Sequence, residues 1–216
     1  MHRDPSDAED LGKVQEFLAG EDRAFEFLFD KYREKVYGIA FRFVRDKEDA
    51  LDITQEVFLR VHQGLPSFKT NAKFFTWLCR IAVNRAIDYA RARRTRRVVG
   101  LGGGGAEGEA IADRLENHRS PDPAELALKK ELAEKLLAAV EALSPKHRAV
   151  FVLHAQDLSY KEIADVVGCS MGTVMSRLFY ARRKLRHLLR DYQAVPSSLP
   201  PPEGRVIPTS VPPKGR

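Results

Sequence analysis

The chain has 216 residues, 44% of them hydrophobic and 31% charged, with a formal net charge of +6 and a pI near 9.4. This composition excludes a wholly disordered chain and supplies apolar mass for one or two small cores. Two widely separated cysteines, Cys79 and Cys169, argue against a disulfide framework; no apolar run nears the roughly 20 residues of a bilayer span, and the polar, acidic start lacks a signal-peptide apolar core, so a cytoplasmic location is expected.

Residues 1–19 read as a polar lead-in. Helical spacing begins with Phe25, Leu28, Phe29, Tyr32, Val36, Ile39, Ala40 and Phe43. An acidic stretch follows, Asp46, Glu48, Asp49, Asp52 and Glu56 against the single Lys47, on a segment whose apolar positions are Ile53, Val57, Phe58, Val61 and Leu65. Pro66 and Ser67 break the pattern. Phe74, Trp77, Leu78, Ile81 and Ala82 resume it, and the helix runs into the cluster Arg91, Arg93, Arg94, Arg96 and Arg97. The spacing predicts three or four helices between about residues 10 and 95, and no strand.

The composition then changes. Gly102 to Gly105 sit in a polar stretch that predicts a flexible linker over 98–124, because glycine loses the most freedom on ordering. No Gly-Lys-Ser/Thr follows, so this is no phosphate loop. Helical spacing returns with Leu128, Leu132, Leu136, Val140 and Leu143. Ser144-Pro145 reads as a helix start, Ser159 to Glu162 as a capping box, and Gly168-Cys169-Ser170 as a tight turn before a helix carrying Val174, Leu178, Ala181, Leu185 and Leu188. From 193 the chain is proline-rich and expected to be disordered. The fold class is all-α: two small helical domains, 20–97 and 125–192, joined by the glycine-rich linker.

Three segments carry the chemistry. Ser159 to Arg183 has the pattern of a helix-turn-helix, whose second helix enters the major groove with its first residues at base edges. Ser170, Met171, Thr173, Ser176 and Arg177 are so placed; Arg182 and Arg183 lie further along, where phosphates are gripped. The plainer alternative is a helical hairpin with a solvated basic face. Phe68 to Arg97 combines aromatics with a basic helix and suits melted DNA. Here Phe74 and Trp77 read as core on periodicity alone, while Phe68 and Asn71 in the preceding loop are freer to reach a base; Lys73, Trp77, Arg80, Asn84, Arg85 and Arg91 complete the candidate surface, Trp77 standing in both readings. The third segment, Asp49 to Leu65, carries an acidic stripe that is either a solvated face or a contact for a basic protein. No catalytic set emerges. The six histidines are scattered, and His147 and His154 share a face without a third ligand, so no metal, cofactor or small-molecule ligand is expected.

In this order the three segments resemble the extracytoplasmic-function (ECF) class of bacterial sigma factors, over about residues 20–190. The run 49–59 is similar to that family's polymerase-binding helix, 74–84 to the segment that opens and reads the −10 element, and 143–145 with 160–185 to the domain that reads the −35 element. The resemblance implies a protein that is not an enzyme and that directs core RNA polymerase, through its β′ and β subunits, to promoter DNA. It implies contact with the β′ clamp coiled coil through Asp49, Asp52, Gln55, Glu56 and Phe58, and an extruded −10 base held by the loop from Phe68 to Lys73. An anti-sigma protein partner is also implied. The proline-rich tail and the weakly acidic linker depart from the family pattern. The competing readings are a helix-turn-helix regulator acting without polymerase and, further off, a nuclease.

Overall fold

The computed structural model describes residues 5–69, 73–98 and 123–190. Every regular element among them is helical: α1 (Pro5–Leu18), α2 (Asp22–Val44), α3 (Lys47–Gly64), a 3-10 turn (Leu65–Ser67), α4 (Phe74–Val98), α5 (Pro123–Glu141), α6 (Pro145–His154), α7 (Tyr160–Val167) and α8 (Met171–Leu188). The linker and tail expectations lie outside the described residues.

The first four helices form one bundle. The apolar stripes read from the sequence face inward: Leu28, Tyr32, Val36, Ile39 and Ala40 of α2, Ile53, Val57 and Val61 of α3, and Phe74, Leu78 and Ala82 of α4 are buried. The lead-in is itself a docked helix. Leu11 and Val14 of α1 are buried, and Phe17 packs on Phe25 and His62. Asp10 is buried with them; its carboxylate accepts from the Tyr32 hydroxyl and, at 2.6 Å, from Lys31. Burial, and then the bond to Asp10, push the Tyr32 hydroxyl well above its ordinary pKa, so it stays a donor. Between α2 and α3, Arg45 takes a left-handed φ of 54°, and the Asp46 carboxylate caps α3 by accepting from the Asp49 N–H at 3.1 Å.

Helices α6, α7 and α8 pack around Val150, Leu153, Ile163, Val174 and Leu178. The leucine stripe of α5 is buried only at its end: Ala139, Val140 and Leu143 join the core, whereas Leu128, Leu132 and Leu136 remain exposed. Ser144 precedes α6 as expected but makes no capping bond; its hydroxyl lies 2.5 Å from His147 Nδ1 instead.

The two halves touch through specific polar contacts. Arg148 is buried. Its guanidinium donates to the carbonyls of Phe43 at 3.1 Å, of Leu143 at 3.4 Å and of Glu141. These carbonyls lie at or just beyond the ends of α2 and α5, where helix dipoles favour a cation. Arg45 pairs with Glu141 at 3.0 Å. On the other side, Glu162 of α7 accepts from Thr76 at 3.3 Å and pairs with Lys73 at 3.3 Å, while Arg80 donates to the Asp165 carbonyl at 2.8 Å. Lys73 also pairs with Asp7 at 3.0 Å.

Glu162 therefore has two tasks. Burial raises its pKa, but its bonds to Ser159 and the Lys73 charge outweigh this, and the carboxyl sits below the ordinary 4.5. A depressed acid stabilises the fold above its unfolded value and loses that contribution as pH falls through the folded one. The stability gap between the native chain and Glu162→Gln is therefore expected to be full above pH 4.5 and to shrink below it. Thermal unfolding of both proteins across that range checks this; a gap independent of pH contradicts it.

Candidate nucleic-acid and polymerase interface

The helix-turn-helix is built from local bonds. Ser159 and Glu162 form a full capping box: the Ser159 N–H donates to Glu162 Oε2 at 2.8 Å and the Glu162 N–H to Ser159 Oγ at 3.3 Å. Gly168 ends α7 at φ 65°, a left-handed conformation that a side chain resists. Ser170 then caps α8, accepting from the Thr173 N–H at 3.2 Å. Ala164 is nearly buried at the α7 crossing, as its small size suggests.

The residues expected at −35 fall into distinct settings. Ser170 and Thr173 lie 2.9 Å apart, oxygen to oxygen, and Ser176 donates to the Thr173 carbonyl at 3.0 Å. Met171 is exposed. Arg177 is half-buried, with Nη1 3.7 Å from Cys169 Sγ. Arg182 reaches His154 at 2.6 Å, and Arg183 lies 5.5 Å from the Tyr180 ring centre.

On α4, Arg80, Asn84 and Arg91 share exposure on a basic helix, with exposed Lys73 just before it. Asn71 lies outside the described residues. Arg85 is half-buried in a bidentate pair with Glu56 of α3, one arm at 2.8 Å. Trp77 is half-buried and covers Gly64, where an added Cβ would meet its ring at 3.1 Å. Phe68 corrects the loop expectation. The 3-10 turn directs it back into the bundle, 9% exposed, with its ring 5.0 Å from Trp77 and 6.1 Å from Phe74. A base could reach Phe68 only if these rings separated.

On α3, Asp52 and Gln55 are exposed. Phe58, expected to touch polymerase, is instead buried: it shares the inward stripe with Val57 and Val61 and packs edge-on to Phe29 at 4.7 Å. Asp49 is committed within the chain, accepting from Tyr89 at 2.5 Å and Arg93 at 2.6 Å. The bond to Asp49 holds the Tyr89 hydroxyl protonated, its pKa pushed up to about 12. The hydrogen bond from Arg85 lowers the Glu56 pKa. Sequence reading missed Leu51 and Leu59, 52% and 59% exposed, which flank Gln55 at four-residue spacing. The signal was present: both are apolar yet out of register with Ile53, Val57 and Val61.

A helix-turn-helix and a second basic helix are the frame of a two-part DNA-binding protein, and α3 presents a separate acidic-apolar face. Family comparison refines this: Sigma-70 region 2 matches residues 28–96 and Sigma-70 region 4 matches residues 133–185. The RNA polymerase sigma-H factor of Pseudomonas aeruginosa is 33% identical over 85% of this chain and 97% of its own length. The ECF sigma factor SigW of Bacillus subtilis is 32% identical over 83% and 96%, and the ECF sigma-E factor of Escherichia coli 34% over 80% and 90%. CnrH, solved in complex with the cytosolic domain of CnrY, superposes with a TM-score of 0.59 at 26% identity, covering 87% of this chain and 99% of CnrH. RpoE of Bartonella quintana, solved with the anti-sigma factor NepR, has the same fold at a TM-score of 0.58 and 23% identity, over 77% and 96%. The chain belongs to the ECF class of the sigma-70 family. Among the described residues, no helix is long and apolar enough to cross a membrane.

Proposed function

We propose that this sigma factor divides promoter recognition among three faces. On α3, Leu51, Asp52, Gln55 and Leu59 meet the clamp coiled coil of the polymerase β′ subunit, with Asp49 and Glu56 shaping that face from behind. On α4, Arg80, Asn84 and Arg91, with Lys73, Trp77 and the adjoining Asn71, follow the melted −10 strand. Arg85 contributes positive potential there while holding Glu56. The first residues of α8 enter the −35 duplex, and Arg182 and Arg183 grip its phosphates. The corresponding domains are 20–97, with α1 docked on it, and 125–192, tethered by 98–124 so that both elements are engaged on one promoter.

The observation that carries this reading is the charge layout. Residues 171–190 hold six arginines and lysines (Arg177, Arg182, Arg183, Lys184, Arg186, Arg190) and no acid, while α3 exposes acids beside leucines. The chain performs no chemistry itself; it acts in the cytoplasm, where polymerase supplies the catalysis. An anti-sigma protein is its expected regulator.

Run-off transcription with purified core polymerase on a promoter library tests the proposal. Initiation at a defined subset of templates, only when this chain is added, is the expected result. Arg183→Ala should then weaken every template about equally, since a phosphate contact carries no sequence information. No initiation, together with tight binding of the chain alone to duplex DNA, would make it an operator-binding regulator instead.

A further inference from the structure

The solvent side of α8 is unexpectedly apolar for a helix that enters DNA. Met171, Met175 and Phe179 are 53%, 50% and 61% exposed. They stand at i, i+4 and i+8 and so form one stripe, about 12 Å long. The core does not need them, because α8 packs inward through Val174, Leu178, Ala181 and Leu185. Their surroundings select the occupant: this helix carries only positive formal charge, which complements a polyanion.

In the major groove, the apolar group a base pair presents is the thymine C5-methyl, whereas guanine offers acceptors that call for arginine or lysine. The one basic residue in the first two turns of α8, Arg177, is half-buried against Cys169. We propose that Met171, Met175 and Phe179 are the specificity-determining residues of this recognition helix and read thymine methyl groups, so that the −35 element carries adjacent thymines where the stripe crosses it. This deepens, and rests on, the reading of the chain as a promoter-binding subunit. Flexible methionine side chains can follow methyl groups at neighbouring steps. Cytosine gains less from this contact, because its C5 carries a hydrogen where thymine carries the methyl group.

The test uses holoenzyme assembled from core polymerase and the full chain. A −35 duplex is selected from a randomised library, then rebuilt with deoxyuridine in place of each thymine in turn, which deletes only the methyl group. Promoter-complex formation is expected to fall about fourfold per methyl at two or more adjacent positions. Met175→Ala and Phe179→Ala should bring the thymine-to-uridine ratio close to one. Tolerance of uridine at every position, or a ratio that both variants leave intact, overturns the proposal. So does a loss of core-polymerase affinity in the variants with the ratio unchanged, which would make the stripe a protein contact. If no template is selected at all, the promoter-binding reading itself fails.

Discussion

Phe74→Ala is expected to destabilise the first bundle by about 3–5 kcal/mol, the usual cost of deleting a buried aromatic ring. Phe74 is 1% exposed, with ring centres of Tyr32, Phe68 and Trp77 at 5.7, 6.1 and 6.0 Å. These neighbours come from α2, the residue after the 3-10 turn and α4, so the cavity cannot close by moving one helix. Native domains hold only about 5–15 kcal/mol in total, so this loss removes a large share of the bundle's stability. Urea unfolding followed by far-ultraviolet circular dichroism checks this: the midpoint should drop with the slope unchanged. A loss below about 1 kcal/mol, with promoter opening nevertheless abolished, would mean that the ring serves DNA rather than the core.

Asp52→Arg is expected to cut affinity for core polymerase about 30-fold or more while leaving the fold intact. Asp52 is exposed between Leu51 and Gln55, whereas Asp49 and Glu56 are held by Arg93, Tyr89 and Arg85. An exposed acid beside the exposed Leu51 is where a partner cation would be met and desolvated, and losing one side of such a pair costs about 2–5 kcal/mol. Titration of labelled chain with core polymerase measures the change, and thermal melting should show a shift in stability within about 0.5 kcal/mol. Unaltered affinity would place the polymerase contact elsewhere. Glu56→Arg is the informative contrast, because it also sets two cations against each other beside α4.

Much of the fold was legible because its signals are local. The α2 and α3 stripes repeat at helical spacing, and Ser159, Glu162, Gly168 and Ser170 act on groups within a few residues. Most of the failures share a physical cause, which is distance along the chain. Phe68 is polar-flanked in a loop, and only the tertiary bundle decides that it turns inward; Phe58 already stands on the apolar stripe of α3, and its polymerase contact came from the family resemblance alone. The acidic stripe of α3 read as one surface, yet partners 29 to 44 residues away claim Glu56 and Asp49. Exposed Leu51 and Leu59 could have been found by asking which apolar residues miss the core register. The polar N-terminus hid α1, whose burial depends on Asp10 meeting Tyr32 and Lys31 across 22 and 21 residues.

The clasp between α4 and α7 has a consequence for ionic atmosphere. Lys73 lies between Asp7 and Glu162, and Arg80 is bonded to the Asp165 carbonyl. A cation neutralised by its own chain displaces little new charge when it reaches a phosphate, because exchanging one anion for another gains only what the first surrenders. In this closed arrangement Lys73 contributes little to the release of condensed counterions that drives binding to nucleic acid, whereas Arg80, bonded to a neutral carbonyl, keeps its charge for a phosphate. Separation of α7 removes Glu162 but leaves Lys73 paired with Asp7 of α1. Replacing Asp7 and Glu162 together by their amides should therefore steepen the fall of DNA affinity with added salt, and the added slope measures the one cation that the chain withholds.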